Sequence, residues 1–505
     1  MHKNFQTYTN EIGGGRVVVL FLLFLLALYE FYAMGITGMA LVCVAPLIVI
    51  IVNLTFKYRM MTFWTLLVVN YFVQFKIVPL TFPTSVPNEL LQLTLIAMAI
   101  IDNRDIHFER LLNVMLLALM IWTGFCILEL MNDTCGLGMN VGGWYTGARM
   151  MAFQLIYIFV VFTLYINSPQ RLIHYLFFWA GLSLFAVFWT WKQKVFGLTQ
   201  SESTWLHNVG YTTHLLNGGT LLRYWSCFND AANYGINAAA TATAFIIIGI
   251  MTRINKYRYF FLIVAAAIIW GMFQSGTRTA IFCLFAGLMT FIVLSKSLKI
   301  AVPFTIAFGL FVCMLMFTNI GNSNQQIRRM RSAFNRNDAS ANVRDINQAA
   351  MKKYLQDAPW GIGIGLDYGD VPPTNKYEKL SKIPPDSEYV YIWIHTGVIG
   401  ITLFLICTAI MLIGASFIVM FKLKNRTLIG IGGGLCGAFV AIQLGGYGNQ
   451  VLMQFPNGLT FYGGLSLVYV LPYLEPEWEA YENKLLAKQE EKKRLKLEKK
   501  RASRV

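Results

Sequence analysis

Residues 319–388 read NIGNSNQQIRRMRSAFNRNDASANVRDINQAAMKKYLQDAPWGIGIGLDYGDVPPTNKYEKLSKIPPDSE, a polar stretch set inside a chain that is otherwise almost entirely apolar. It carries Arg328, Arg329, Arg331, Arg336 and Arg344, a Pro-Trp-Gly-Ile-Gly-Ile-Gly turn at 359–365, and two carboxylates, Asp386 and Glu388. Two membrane helices can be joined by a few residues, so a connection this long and this charged points to function. Guanidinium groups beside a membrane suit phosphate, which they grip in bidentate fashion. The pattern predicts an anionic, lipid-linked substrate.

The class follows from the rest of the chain. Hydrophobic residues make up 56% of the 505 and charged residues 13%, and mean hydropathy is +0.54. A soluble protein carries about twice that charged fraction. The chain therefore reads as an all-α, polytopic integral membrane protein with a large extracytoplasmic loop.

Apolar stretches of spanning length predict about fourteen transmembrane helices. They fall near 17–34, 36–54, 60–80, 88–101, 111–130, 150–166, 172–191, 232–251, 259–275, 278–295, 300–319, 389–421, 428–448 and 456–473. The first reads as uncleaved, since no small-residue cleavage site follows it. Basic residues fall on alternate connections: Lys57 and Arg59, Arg104 and Arg110, Arg171, Arg253 to Arg258, Lys296 and Lys299, and Lys422 to Arg426. With fourteen spans these lie on one side with both termini, which the positive-inside rule makes cytoplasmic. Segments 131–149, 192–231, 320–388 and the Ser275–Thr279 turn are then outside. The expected organisation is 1–319 for spans one to eleven, 320–388 for an extracytoplasmic loop with short helices, 389–474 for spans twelve to fourteen, and 475–505 for a basic cytoplasmic tail.

The formal charge of +16 does not imply nucleic acid, because much of it sits in the inner connections and the tail. Lys484–Arg504 mixes Lys with Glu at helical spacing, as a solvated helix resting on anionic lipid does. Of eight cysteines, Cys135 and Cys227 are expected to face outward, where a disulfide between them is one option; the others lie in spans as small hydrophobes. There is no CxxC, HExxH or paired-aspartate motif, so neither a metal site nor a cofactor is expected.

The informative residues concentrate in the outer segments. Arg223 opens the run to Gly235 that precedes the eighth span, and Arg278 stands in Ser-Gly-Thr-Arg at the mouth of spans nine and ten. An arginine at the hydrocarbon boundary is costly unless paired or in water. In 341–355, Val343, Ile346, Ala350 and Tyr354 recur at helical spacing, with Arg344, Gln348 and Lys352 on a neighbouring face. That predicts a surface helix carrying Arg344. The Gly361-x-Gly363-x-Gly365 run is not a nucleotide loop, as no strand precedes it and no Gly-Lys-Ser/Thr follows; a close backbone turn is expected. Trp205, Tyr211, Tyr224, Trp225 and Trp360 are candidates either for stacking on sugars or for an interfacial aromatic belt.

Residues 220–415 resemble the bacterial O-antigen polymerase and O-antigen ligase superfamily. The resemblance rests on Arg223 through Asn233, on Ser275-Gly-Thr-Arg278, on Arg344 with Pro359–Gly365, and on Asp386-Ser-Glu-Tyr with Gly397-Val-Ile-Gly400. It implies a GT-C-like membrane glycosyltransferase of the inner membrane whose donor is a glycan on undecaprenyl diphosphate. It also implies an acceptor glycan or lipid A core, and a polysaccharide chain-length regulator as a further partner. Ligases of this kind usually have His-Asn where this chain has Asp386-Ser387, which tilts the reading toward a polymerase; His395 is the substitute to consider.

The chemistry implied is metal-independent, inverting glycosyl transfer facing the periplasm. Arg223, Arg278 and Arg344 would hold the diphosphate and Asp386 or Glu388 would deprotonate the acceptor hydroxyl; Asn233 is a further candidate. A different class stays open, a lipid-linked oligosaccharide flippase with a similar number of spans. Such transporters show related halves and mid-membrane charges, whereas no internal repeat is visible and Glu30 and Glu129 lie near span ends.

Overall fold

The computed structural model describes residues 57–76, 85–216, 221–295, 325–331, 339–366, 370–383 and 385–502, with isolated residues in 21–29 and 302–320. Packing divides the chain into two units, 1–64 and 65–505, and the architecture below is that of the second. The protein is an all-α polytopic membrane protein. Among the described residues eight helices are long and apolar enough to cross a membrane: Val114–Met131, Val141–Tyr165, Pro169–Val195, Ala231–Met251, Asn255–Gln274, Arg278–Ser295, Glu388–Lys422 and Arg426–Gly448. Each coincides with an expected span. Those expected at 60–80 and 88–101 contain shorter helices, α1 (Arg59–Phe72) and α2 (Val86–Ile101). Those at 17–34, 36–54 and 300–319 fall largely outside the described residues, and the one at 456–473 falls on a π turn at Gly458–Tyr462 and the start of the helix Gly463–Ala502, so the count of fourteen is not reached here.

The elements follow in the order α3 (Val114–Leu128), α4 (Val141–Ala148), α5 (Gln154–Tyr165), α6 (Pro169–Val195), α7 (Gln200–Trp205), α8 (Tyr211–His214), a hairpin of β1 (Leu215–Leu216) and β2 (Leu221–Leu222), α9 (Ala231–Met251), α10 (Asn255–Gln274) and α11 (Arg278–Ser295). After these come α12 (Gln325–Arg331), α13 (Ala339–Leu355), α14 (Glu378–Lys382), α15 (Glu388–Phe417), α16 (Arg426–Gly448) and α17 (Gly463–Ala502). Local chemistry sets several starts. Asn113, Ser168 and Asn425 cap α3, α6 and α16 by accepting from backbone N–H groups of the first turn, and Pro169 occupies the first helical position of α6.

Helices α9 and α16 form the centre, buried on almost every face. In lipid there is no hydrophobic drive between helices, so close backbone approach and dispersion hold them. The Ala- and Gly-rich sequences supply that approach. A Cβ on Gly287 of α11 or on Gly437 of α16 would stand 2.6 Å from the other's carbonyl oxygen, and one on Gly445 would meet Ile236 of α9 at 2.3 Å.

The outer loop builds a small core of its own. Met351 and Leu355 of α13, Ile362, Val371, Tyr377, Leu380 and the α15 residues Val390 and Ile394 pack together. The expected helix at 341–355 is present, but its buried edge is Met351 and Leu355, while Ile346 is exposed. A four-residue repeat marks one stripe of a helix, and the loop folds over the next stripe round. At the other end, α17 runs without a break through residue 474, where the tail was expected to begin.

Candidate active site

The turn from Gln274 to Arg278 joins α10 to α11 and is the hub of this end of the bundle. Gly276 takes φ +59°, which lets the chain reverse between the two helices. Arg223, placed directly after β2, donates from Nε to the Ser275 carbonyl (3.1 Å) and from Nη2 to Thr277 Oγ1 (3.1 Å). Its Nη1 reaches the Thr213 carbonyl at 2.9 Å. Three of the five guanidinium N–H donors are thus engaged among the described residues. Arg329 of α12 donates from Nε to the adjacent Gly276 carbonyl at 2.5 Å. Arg278 is the first residue of α11 and lies close enough to Arg223 to repel its charge.

The hairpin and the start of α9 complete the cluster. The Arg223 N–H bonds the His214 carbonyl at 2.9 Å, continuing the ladder of β1 and β2. His214 is buried; its Nε2 accepts from the Ala231 N–H (3.1 Å) and its Nδ1 lies 2.7 Å from Thr213 Oγ1. Asp230 caps α9 by accepting from the N–H groups of Ala232 (2.7 Å) and Asn233 (2.8 Å). Thr277 Oγ1 donates to the Ala231 carbonyl at 2.8 Å, tying the α9 start to the hub. Lys76 donates to Asn229 Oδ1 at 3.0 Å.

Burial pushes Arg223 down to about 10, against the attraction of Asp230 and with a further push from Arg278. Burial raises the Asp230 carboxyl, opposed by the Asn233 and Ala232 N–H groups and by Arg223 and Lys76. His214 is held down at about 4, by burial first and then by the Arg223 charge. Arg223 and Lys76 therefore act on the Asp230 carboxylate, with Arg278 acting on Arg223, around the start of two helices whose N-termini add partial positive charge. The arrangement is built for an anion.

The start of α15 abuts the same region through α16. Ser387 Oγ donates to the Gly446 carbonyl at 3.1 Å. Two residues further on, a Cβ at Gly448 would stand 2.9 Å from Thr279 Oγ1, beside Arg278. Asp386 is exposed there. Glu388 is placed differently, since it is buried and its Oε2 accepts from the Leu452 N–H at 3.0 Å, against the Val451 and Met453 N–H groups. Asn233 binds the same loop. Its Nδ2 donates to the Phe455 carbonyl at 3.0 Å, its Oδ1 accepts from Asn457 Nδ2 at 2.5 Å, and Asn237 Nδ2 reaches Asn457 Oδ1 at 2.7 Å.

His395 lies deeper, at a break in α15 where Gly397 takes φ 64° and ψ −168°. The Pro359–Gly365 turn fills that break: the N–H groups of Ile362 and Gly363 donate to the carbonyls of Ile394 (2.9 Å) and His395 (3.0 Å), and Ile399 N–H to that of Pro359 (3.2 Å). The imidazole sits between the carbonyls of Tyr391 (2.8 Å) and Leu366 (3.2 Å), so both ring nitrogens face acceptors.

Of the residues expected from sequence, the structure brings Arg223 and Arg278 together, while Asp386 is exposed just before Ser387, which contacts α16. Arg344 lies on α13, with its side chain outside the described residues. Trp225 does not stack on a ligand: it is fully buried, packed against Trp205 and His214 at 4.9 and 5.2 Å between ring centres. An indole removes roughly 200 Å² from water, about 5 kcal/mol at 25 cal/mol per Å², which fixes the hairpin that aims Arg223. Cys135 and Cys227 are both free and buried, so the optional disulfide between them is absent. Arg329 was read only as one of a run of loop arginines, and His214, Asp230 and Lys76 were not singled out; the partners of Arg329 and Lys76, Gly276 and Asn229, lie 53 and 153 positions away.

Residues 263–405 match the family model described as O-Antigen ligase, so this part of the chain falls within the O-antigen ligase and polymerase superfamily. The match spans the α10–α11 hub, the outer loop and most of α15. No curated protein matches the chain.

Proposed function

We propose that the chain is a surface-polysaccharide polymerase of the O-antigen type, moving a glycan from undecaprenyl diphosphate to the hydroxyl of an acceptor sugar. What carries this reading is the convergence of Arg223 and Arg329 on the consecutive carbonyls of Ser275 and Gly276, immediately before Arg278. Cations held by backbone oxygens keep their position when no ligand is bound, which is the preorganisation a diphosphate leaving group needs.

In this scheme the acceptor oxygen attacks C1 on the face opposite the diphosphate. The O–C1 bond forms as the bond from C1 to the phosphate oxygen breaks, so the anomeric configuration inverts. The electron pair leaves on undecaprenyl diphosphate, whose charge the arginines stabilise without a metal. The proton passes to Asp386, the exposed carboxylate of the pair; Glu388 holds the 451–453 loop. Arg344 would reach the donor from α13. The reading places the site on the periplasmic face of a bacterial inner membrane, within a GT-C-like bundle of fourteen spans whose termini are cytoplasmic.

A ligase is the second reading, favoured by the description of the family model that matches 263–405; the acceptor would then be lipid A core or a protein. The surface glycan of a deletion strain separates them. Loss of a polymerase leaves single-repeat products attached and removes long chains. Loss of a ligase leaves no attached glycan and accumulates lipid-linked polymer. Unchanged surface glycan would refute both.

A further inference from the structure

At the end of α15 away from Asp386 lies a cavity of about 830 Å³, bounded by the residues before α3, the last turns of α15 and the middle of α17. Two irregularities open it. The end of α15 passes into a π turn at Ile418–Lys422, and α17 carries Pro472. Pro removes a backbone hydrogen bond and a π turn widens the helix, so the flanking helices part.

The walls are apolar, with Val114, Ile410, Ile413 and Phe417 among them, while Arg110 and Lys422 stand in the lining. Ile413 and Phe417 are exposed on the protein surface, so the slot opens sideways toward hydrocarbon. Arg110 lies 5.3 Å from the centre of the Tyr473 ring and donates from Nη1 to the Asn167 carbonyl at 3.4 Å. Its Nε is buried with no hydrogen-bond partner among the described residues. Glu109 and Glu477 act on Arg110 electrostatically, but neither lines the cavity. A buried guanidinium N–H without an acceptor is costly, and most such groups are satisfied in the working state.

An apolar slot open at the protein surface, with two cations in its lining, matches an acyl chain joined to a phosphate. We propose that this cavity is a binding site for an anionic glycerophospholipid, with one acyl chain along Ile410, Ile413 and Phe417 and its phosphate on Arg110 and Lys422. A zwitterionic lipid offers the same chain and phosphate, but its ammonium offsets the attraction to the two cations. The site is separate from the arginine hub, and it depends on membrane embedding rather than on the transfer reaction.

The test uses the full-length protein in detergent, titrated with dioleoyl phosphatidylglycerol or dioleoyl phosphatidylcholine and read by native mass spectrometry. Phosphatidylglycerol should be retained preferentially. Removing each cation should weaken its retention about fivefold, from the usual worth of a basic residue at an anionic surface, so the Arg110→Gln/Lys422→Gln pair should lose roughly twentyfold or more. Ile413→Trp, which fills the slot and keeps both charges, should also abolish retention; thermal unfolding without added lipid checks that each variant is folded. Equal retention of the two lipids would overturn the proposal, as would folded variants that bind like the wild type. So would a photocrosslinker at Phe417 that captures a segment of this same chain instead of lipid.

Discussion

Gly361 and Gly397 meet backbone to backbone: a Cβ on Gly361 would stand 2.5 Å from the Gly397 nitrogen, and one on Gly397 would stand 2.0 Å from the Pro359 carbonyl oxygen. Both take positive φ, 75° and 64°. The Pro359–Gly365 turn therefore replaces the hydrogen bonds that α15 loses at its break, which is how non-helical backbone survives at membrane depth. Gly397→Ala and Gly361→Ala should each lower the unfolding temperature, because strain of about 1–3 kcal/mol comes on top of a steric clash. Gly458→Ala is the control, with its nearest neighbour at 3.6 Å. Equal melting temperatures for all three variants would show that the turn and the helix are not in this contact.

Arg329 donates from α12 to the Gly276 carbonyl of the hub. A hydrogen bond from a charged group contributes about 1.5–3 kcal/mol, so Arg329→Ala should reduce kcat/KM for the lipid-linked donor by about tenfold to a hundredfold. Arg328→Ala, at an exposed neighbouring position, should stay within a few-fold of wild type. The comparison is made in a reconstituted transfer assay with matched protein levels. Equal losses in the two variants would mean that loop charge matters and the Gly276 contact does not.

The spans were legible because length and hydropathy are local properties, and all eight spanning helices lie where apolar runs predicted them. Arg223 and Arg278 were legible as costly residues at a membrane boundary. Their shared anchor was not, since Ser275 and Gly276 contribute carbonyl oxygens, which every residue possesses. Glu388 was read with Asp386 as one carboxylate pair, yet the two diverge: adjacent turns of chain at a helix start face different ways, and the Leu452 N–H that claims Glu388 is 64 positions further on. Trp225 failed as a surface aromatic because the hairpin around it is built from tertiary contacts.

The two carboxylates separate cleanly by experiment. Asp386→Asn should fold normally, retain donor binding and lose about a hundredfold to ten-thousandfold in turnover, the usual cost of removing a general base. Glu388→Gln should appear first in stability. Its amide would turn an N–H group toward the Leu452 region, where the carboxylate now accepts, at a cost of about 1–3 kcal/mol. Wild-type turnover in Asp386→Asn would remove that residue as the base and bring His395 forward.

His214 makes the stability of the hub depend on pH. The folded protein holds the imidazole down at about 4, because it is buried beside Arg223 and Lys76, whereas the ordinary value is 6.5. The unfolded chain therefore takes up the proton first as pH falls. Stability from the neutral ring is complete above the ordinary value and is lost as pH drops from there through about 4. The neutral form is also the one that accepts from the Ala231 N–H, so protonation removes the link between the hairpin and the start of α9. Melting temperatures of the wild type should fall between pH 6.5 and pH 4 more steeply than those of His214→Gln. The variant should start lower at pH 7.5 and show a flatter profile, since it lacks the titration of His214 while keeping that of the carboxylates and the other five histidines. Parallel curves for the two proteins would mean that His214 does not control this acid response.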